Sequence, residues 1–285
     1  MTSGHECRRT PGEGERAGSR DSGHGPRFRT DTPYPARACH YRLLDGKDHH
    51  PAGREPAEDL TRLRPETGPT APANRYFLAR AVHHFAGRGI RQFLHIGKPL
   101  PAPGSTHDIA QREAPDCRIV YAGNGPLAGA HARALLTSTP EGACDYIDAD
   151  PRDTLTIVGE AARTLDLAKP VAVLLLAVLH LIPDTAGAAG IVARLASALA
   201  PGSYIAISHL TADFAPGPPT ARAGNDTAPV PVIARTCAQV TSLFAGLPLL
   251  PPGVVPITAW RPDLNSRQQA ADLYVAVART PAGRM

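Results

Sequence analysis

Lysine is scarce in this sequence: only Lys47, Lys98 and Lys169 stand among 30 basic residues. The remaining basic side chains are arginines scattered among 26 acids, for a net charge of +4. No continuous basic stripe emerges, so a nucleic-acid partner is not expected. Cysteine is thin too. Cys7, Cys39, Cys117, Cys144 and Cys237 are odd in number, far apart and without a C-x-x-C pair. That excludes a disulfide framework and a zinc ribbon, suits a reducing cytoplasm, and leads us to expect no metal site. Long apolar runs are missing. The longest, Val171 to Ile182, has 12 residues, whereas a membrane-spanning helix needs ~20. The expectation is a soluble protein with no membrane partner. The start of the chain, with Arg8, Arg9 and Glu13 and no apolar stretch, does not read as a secretory signal. Glycine (26) and proline (30) are abundant but follow no Gly-X-Y period, so collagen is excluded.

What remains is a chain of 285 residues, 42% hydrophobic, enough for one large domain or two small ones. Residues 1–35 have almost no aliphatics and cannot offset their ordering entropy, so a disordered tail is expected. Aliphatic content starts near Tyr41–Leu44, Asp45–Asp48 follows as a turn, and Pro51–Pro72 is polar and broken by proline, with one short helix expected near Ala57–Leu63. From residue 73 to 280 the pattern is that of a folded domain. Phe77, Leu78, Ala81, Val82 and Phe85 share one helix face. Short β runs follow at Arg91–Ile96, Cys117–Ala122, Asp145–Ile147, Val171–Leu176, Tyr204–Ser208, Val254–Ile257 and Leu273–Ala278. Between them, helices are expected from Ser105 or Thr106, over Pro126–Leu136, Thr154–Leu167, Asp184–Leu199 and Ile233–Phe244, with a loop over Phe214–Pro231. Val171–Leu176 is continuously aliphatic, as a parallel strand buried on both faces must be. This alternation predicts an α/β fold, a doubly wound and mostly parallel sheet.

In such a sheet, ligands sit beyond the carboxyl ends of the strands. The informative segments are therefore Gly97–Pro103, Gly123–Gly125, Asp148–Asp153, Ala177–Pro183 and His209–Asp213. The first carries neither G-x-G-x-x-G nor a phosphate-loop spacing, which disfavours a dinucleotide oxidoreductase. Asp148, Asp150 and Asp153 could form a turn, contact a cofactor or hold a metal, and Arg152 among them favours an ion pair over a metal. His180 and His209 both follow strands on one edge and could take a proton, or simply shape a pocket. The pairs His49–His50 and His83–His84 are not expected to chelate, since adjacent helix residues face different ways. Trp260, the single tryptophan, could stack on a substrate or anchor the core.

Several segments together resemble one family. They are Leu43-Leu44-Asp45-Gly46-Lys47-Asp48, Ala73-Asn74-Arg75-Tyr76-Phe77-Leu78, the stretch Gly89–Gly97, and Thr106-His107-Asp108-Ile109-Ala110-Gln111. Residues Ala130–Leu136, Pro170–Asp184, Ala200–Tyr204, Ile207-Ser208-His209 and Trp260-Arg261-Pro262 complete the set. Over about residues 36 to 280 the chain resembles the bacterial S-adenosylmethionine (SAM) dependent methyltransferases long catalogued as a domain of unknown function. The resemblance implies a Rossmann-like sheet of seven strands with a reversed last strand, and SAM as cofactor. It implies cofactor contacts at Gly97, Leu100, Pro101, His107, Asn124, Asp150 and Arg152. A lid or substrate role falls to Lys47, Asp48 and Trp260, within a cap formed by residues 36–72, and acid–base work falls to His180 and His209.

Key positions depart from the family pattern. Its Asp-Ile-Gly-Thr-Gly-Leu-Pro-Thr is here His95-Ile96-Gly97-Lys98-Pro99-Leu100-Pro101-Ala102. Its Val-Asp-Asn-Asp is Ala122-Gly123-Asn124-Gly125, so both carboxylates are gone. Proline at 99 cannot take φ > 0 or donate an N–H. Two readings follow: a methyltransferase acting on a small-molecule acceptor, or a degenerate member that keeps the scaffold as a binding or regulatory module. A nucleic-acid methyltransferase is the weaker third. A homo-oligomer is compatible with the sequence.

Overall fold

The computed structural model describes residues 70–97, 104–124, 136–182, 187–211, 213–214, 232–262 and 271–281. The expected tail, nearly all of the cap, the helix near 57–63, residues 126–135 of the expected third helix and most of the loop over 214–231 lie outside the described residues.

Helix α1 (Thr70–Ala86) leads into β1 (Gln92–Ile96), and α2 (Thr106–Glu113) into β2 (Arg118–Gly123). Then come β3 (Ala143–Asp148), α3 (Thr154–Ala161), β4 (Ala172–Leu176), α4 (Ala188–Ser197) and β5 (Tyr204–Leu210). Helix α5 (Cys237–Ser242), β6 (Val255–Pro256) and β7 (Leu273–Arg279) end the described chain. The seven strands form one sheet in the order β3-β2-β1-β4-β5-β7-β6. β1 to β5 pair in parallel, and β7 runs antiparallel between β5 and β6. The chain leaves β1 toward β2 and β3, then returns to β4 on the other side. The strand order therefore reverses at β1 and β4, the position beyond whose carboxyl ends doubly wound sheets bind their ligands.

Side-chain alternation feeds two cores. Phe93, Ile119, Tyr121, Leu174 and Val275 face α1 and α2, where they meet Phe77, Ala81, Phe85 and Ile109. Leu94, Val120, Val173, Ile205 and Ala276 face α3, α4 and α5, where they meet Ile157, Ile191, Leu195 and Phe244. β4 is buried at all five positions, as its unbroken aliphatic run requires. Fully buried Phe77, Phe85 and Phe93 contribute roughly 1.5–3 kcal/mol each by leaving water.

Three helices are shorter than the periodicity predicts; α4 spans Ala188–Ser197 instead of Asp184–Leu199. α3 stops at Ala161 instead of Leu167. α5 begins only at Cys237, because the backbone before it is committed elsewhere. Ile233 N donates to His180 O (2.8 Å) and Arg235 N to Leu210 O (3.0 Å), bonds that a helix cannot make. Thr236 and Gln239 then close a reciprocal cap, and the helix starts there.

Candidate functional site

The parallel register sets residues side by side across the carboxyl edge. His95, Tyr121 and Tyr146 form one row over β1, β2 and β3, and Ile96, Ala122 and Ile147 the next. Beyond them Gly97, Gly123 and Asp148 end the strands, with Gly123 paired to Asp148. Gly97 sits at φ +145°, a conformation that suits glycine alone, and its N–H donates to Ala122 O at 2.9 Å. This turns the Gly97 carbonyl across β2. A Cβ on Gly123 would lie inside contact distance of that oxygen. The glycines at 97 and 123 are therefore one device: the first occupies the room a side chain at the second would need.

Below this edge His95 is buried against α2, its Nδ1 at 2.9 Å from Thr106 Oγ1. Burial lowers its pKa to about 4, so it is neutral at physiological pH. Tyr121 Oη accepts the His107 N–H at 3.0 Å and meets His107 Nδ1 at 2.8 Å. Asp108 caps the helix start by accepting from Gly104 N (3.0 Å) and Ser105 N (3.3 Å). His107 is thus fixed to β2 at the first turn of α2. A neutral polar network stands where the family pattern has an acid at 95.

At the β2 and β3 ends Asn124, Asp150 and Arg152 meet. The Asp150 carboxylate accepts from Arg152 Nε and N (both 2.8 Å) and Arg152 Nη2 (2.7 Å), and from Asn124 Nδ2 (3.0 Å). The Arg152 guanidinium is the main reason Asp150 titrates below the usual carboxylate range. Asp153 accepts from Thr156 N and caps α3, and among the described residues no cluster suited to a metal ion forms. Asp148 is exposed and makes no hydrogen bond or ion pair among the described residues.

His180 and His209 also meet, their rings edge to face with centroids 5.7 Å apart. His209 Nδ1 donates to Leu210 O (2.7 Å), which leaves Nε2 to accept from Arg235 Nη1 (2.6 Å). Arg235 is buried and also donates to Leu179 O and Ile182 O (3.0 Å each), bracing the turn that carries His180. Burial, then the charge of Arg235, pulls His209 down to about 4. Burial, then His209 and Arg235, pulls His180 to about 3. His180 Nδ1 is enclosed without a hydrogen-bond partner among the described residues. Ala177, in the left-handed region at φ 52°, starts this turn, and its N–H donates to Ser208 Oγ (2.8 Å). Ser208 Oγ in turn donates to Asn74 Oδ1 (2.6 Å) and so ties α1 to the edge.

Trp260 does not join these residues. It is fully buried, edge-on to Phe77 at 5.3 Å and to His84 at 5.7 Å, and acts as a core anchor with no ring face open to a substrate. Leu100, Pro101, Lys47 and Asp48 lie outside the described residues. The sequence marks Asp148 as a candidate cofactor contact but gives no role to Asn74, Ser208 or Arg235. Asn74 and Ser208 lie within the family-like segments, and Arg235 carries no sequence signal.

Residues 21–281 match the S-adenosyl methyltransferase family. The chain belongs to the S-adenosyl methyltransferases. A DUF574 family protein from Streptomyces avermitilis is 39% identical to this methyltransferase family member, over 88% of this chain and 99% of its own, with a TM-score of 0.79. A protein from Thermobifida fusca is 32% identical over 88% and 96%, with a TM-score of 0.78. An O-methyltransferase family protein from Burkholderia thailandensis shares the fold at 13% identity and a TM-score of 0.51. No curated protein matches. The cofactor of the family is SAM. At the carboxyl ends of β2 and β3, Ala122 and Ile147 are buried, and the Asn124 amide and Asp150 carboxylate stand beside them. Gly123, at the end of β2, carries no side chain.

Proposed function

We propose that this chain transfers a methyl group from SAM to a small-molecule acceptor held over the ends of β4 and β5. The observation that carries this reading is the pair His180 and His209 on the same edge as the Asn124–Asp150–Arg152 group, with one imidazole nitrogen of His180 enclosed and unpartnered among the described residues. SAM brings an activated sulfonium methyl, so the protein chiefly supplies alignment. His180, neutral, accepts a hydrogen bond from an acceptor O–H or N–H and fixes its direction. At a pKa of about 3 it cannot hold a proton at neutral pH, which favours acceptors that need orientation more than deprotonation. His209, with both nitrogens engaged, is a positioning residue. Asp150 exchanges its Arg152 contact for the adenine amino group; the exposed pair is weak enough to yield. In this reading the protein is cytoplasmic, acts without membrane or nucleic acid, and keeps its activity as a monomer or a homo-oligomer.

The test is a screen of small hydroxyl and amine acceptors, following S-adenosylhomocysteine release. Turnover is expected with a kcat flat from pH 6 to 9, and His180→Ala lowers it about 10–100-fold. No turnover with any acceptor, alongside normal SAM binding, supports the scaffold reading instead. The substitutions at 95, 99, 123 and 125 motivate that alternative.

A further inference from the structure

We propose that Asp148 is the residue that grips the cofactor's ribose in this chain. The inference rests on the reading above, that adenosine lies across the ends of β1, β2 and β3. In doubly wound sheets a ribose diol, with its two O–H donors, is met by an acid at the end of the second strand. Here that strand ends in Gly123, and the Gly97 carbonyl bars any side chain there. The acid stands one strand over. Asp148 is the register partner of Gly123 on parallel β3, so both residues address the same face of the sheet. Adjacent strands lie about 4.8 Å apart, well within the span of a ribose and a carboxylate.

The neighbouring groups leave this work to Asp148. Tyr146 Oη is held by Gly123 O at 2.8 Å. Asp150 is engaged by Arg152 and Asn124 and, in the reading above, serves the adenine amino group. Asp148 is exposed and makes no hydrogen bond or ion pair among the described residues. The chain has kept a carboxylate for the diol and moved it from β2 to β3, while the Gly97 carbonyl occupies the vacated position. The same substitutions that read as erosion in the sequence become a rearranged grip.

Calorimetric titration of the full chain tests this with three probes: S-adenosylhomocysteine, methylthioadenosine and 2′,3′-dideoxy-methylthioadenosine. The exposed Asp148→Asn substitution should leave thermal melting unchanged. It should weaken the first two probes about 10–100-fold, the cost of a lost charged hydrogen bond. The dideoxy probe, with no diol, should bind wild type and variant alike. Equal affinity of wild type and Asp148→Asn for the diol-bearing probes overturns the role of Asp148 and leaves the cleft assignment standing. The same loss for all three probes also overturns it, since the effect would not run through the diol. If wild type binds none of the probes at millimolar concentration, the cleft assignment and the Asp148 role fall together.

Discussion

Placing alanine at Gly123 probes the coupling between the first two strand ends. The new methyl would enter the space of the Gly97 carbonyl, a backbone atom that cannot rotate away. Relief requires moving Gly97, which breaks its N–H bond to Ala122 O. Overpacking costs about 1–3 kcal/mol and the lost bond about 0.5–1.5 kcal/mol, so Gly123→Ala should destabilise by about 2–4 kcal/mol. At roughly 2–4 °C per kcal/mol for a chain of this size, Tm should fall by about 5–15 °C. Gly123→Asp, which restores the family's residue, should do no better and should not recover cofactor affinity by itself. Gly159→Ala is the control: its Cβ meets nothing within 4 Å in α3, so it should stabilise by about 0.5–1 kcal/mol. Differential scanning calorimetry of the three variants decides the matter. A Gly123→Ala melting point equal to wild type would refute the coupling.

Acid should unfold the protein early. His84, His95 and His209 titrate near about 4 and His180 near about 3 in the fold, against 6.5 when unfolded. Below pH 6.5 the unfolded chain binds these protons and the folded chain does not, so stability is level above pH 7 and falls as pH drops toward 4. Buried His95 and His209 each contribute up to about 1.4 kcal/mol per pH unit in that window; denaturant titrations at pH 4.5 to 8 that give one constant stability would contradict this. Arg235→Met should cost about 3 kcal/mol or more by stranding Leu179 O, Ile182 O and His209 Nε2. It should also raise the His209 pKa, read by NMR titration of the imidazole; an unmoved pKa would contradict the assigned contact.

Much of the fold was legible because periodicity and burial coincide. The Val171–Leu176 run could only be a doubly covered strand, and Phe77, Ala81 and Phe85 could only be one buried helix face. Segments whose backbone bonds to distant partners misled. Ile233–Thr236 has helix-compatible residues, yet its N–H groups serve His180 O and Leu210 O. In the site, Asn124, Asp150 and Arg152 were recognisable as a group because they follow adjacent strands. The pairing of Gly97 with Gly123 was not, since it depends on how closely two backbones approach across a sheet. Nor was Arg235, whose role comes from carbonyls more than fifty residues away. The sequence favours Trp260 as a core anchor over a substrate platform, and its complete burial places it in the core.

The central claim is that the carboxyl edge over β1, β2 and β3 holds a methyl donor although the acid on β2 is missing. Isothermal titration of the purified chain with SAM tests it most directly. The account predicts saturable one-to-one binding at micromolar concentration, weakened by Asp150→Asn. No heat with millimolar SAM would contradict it.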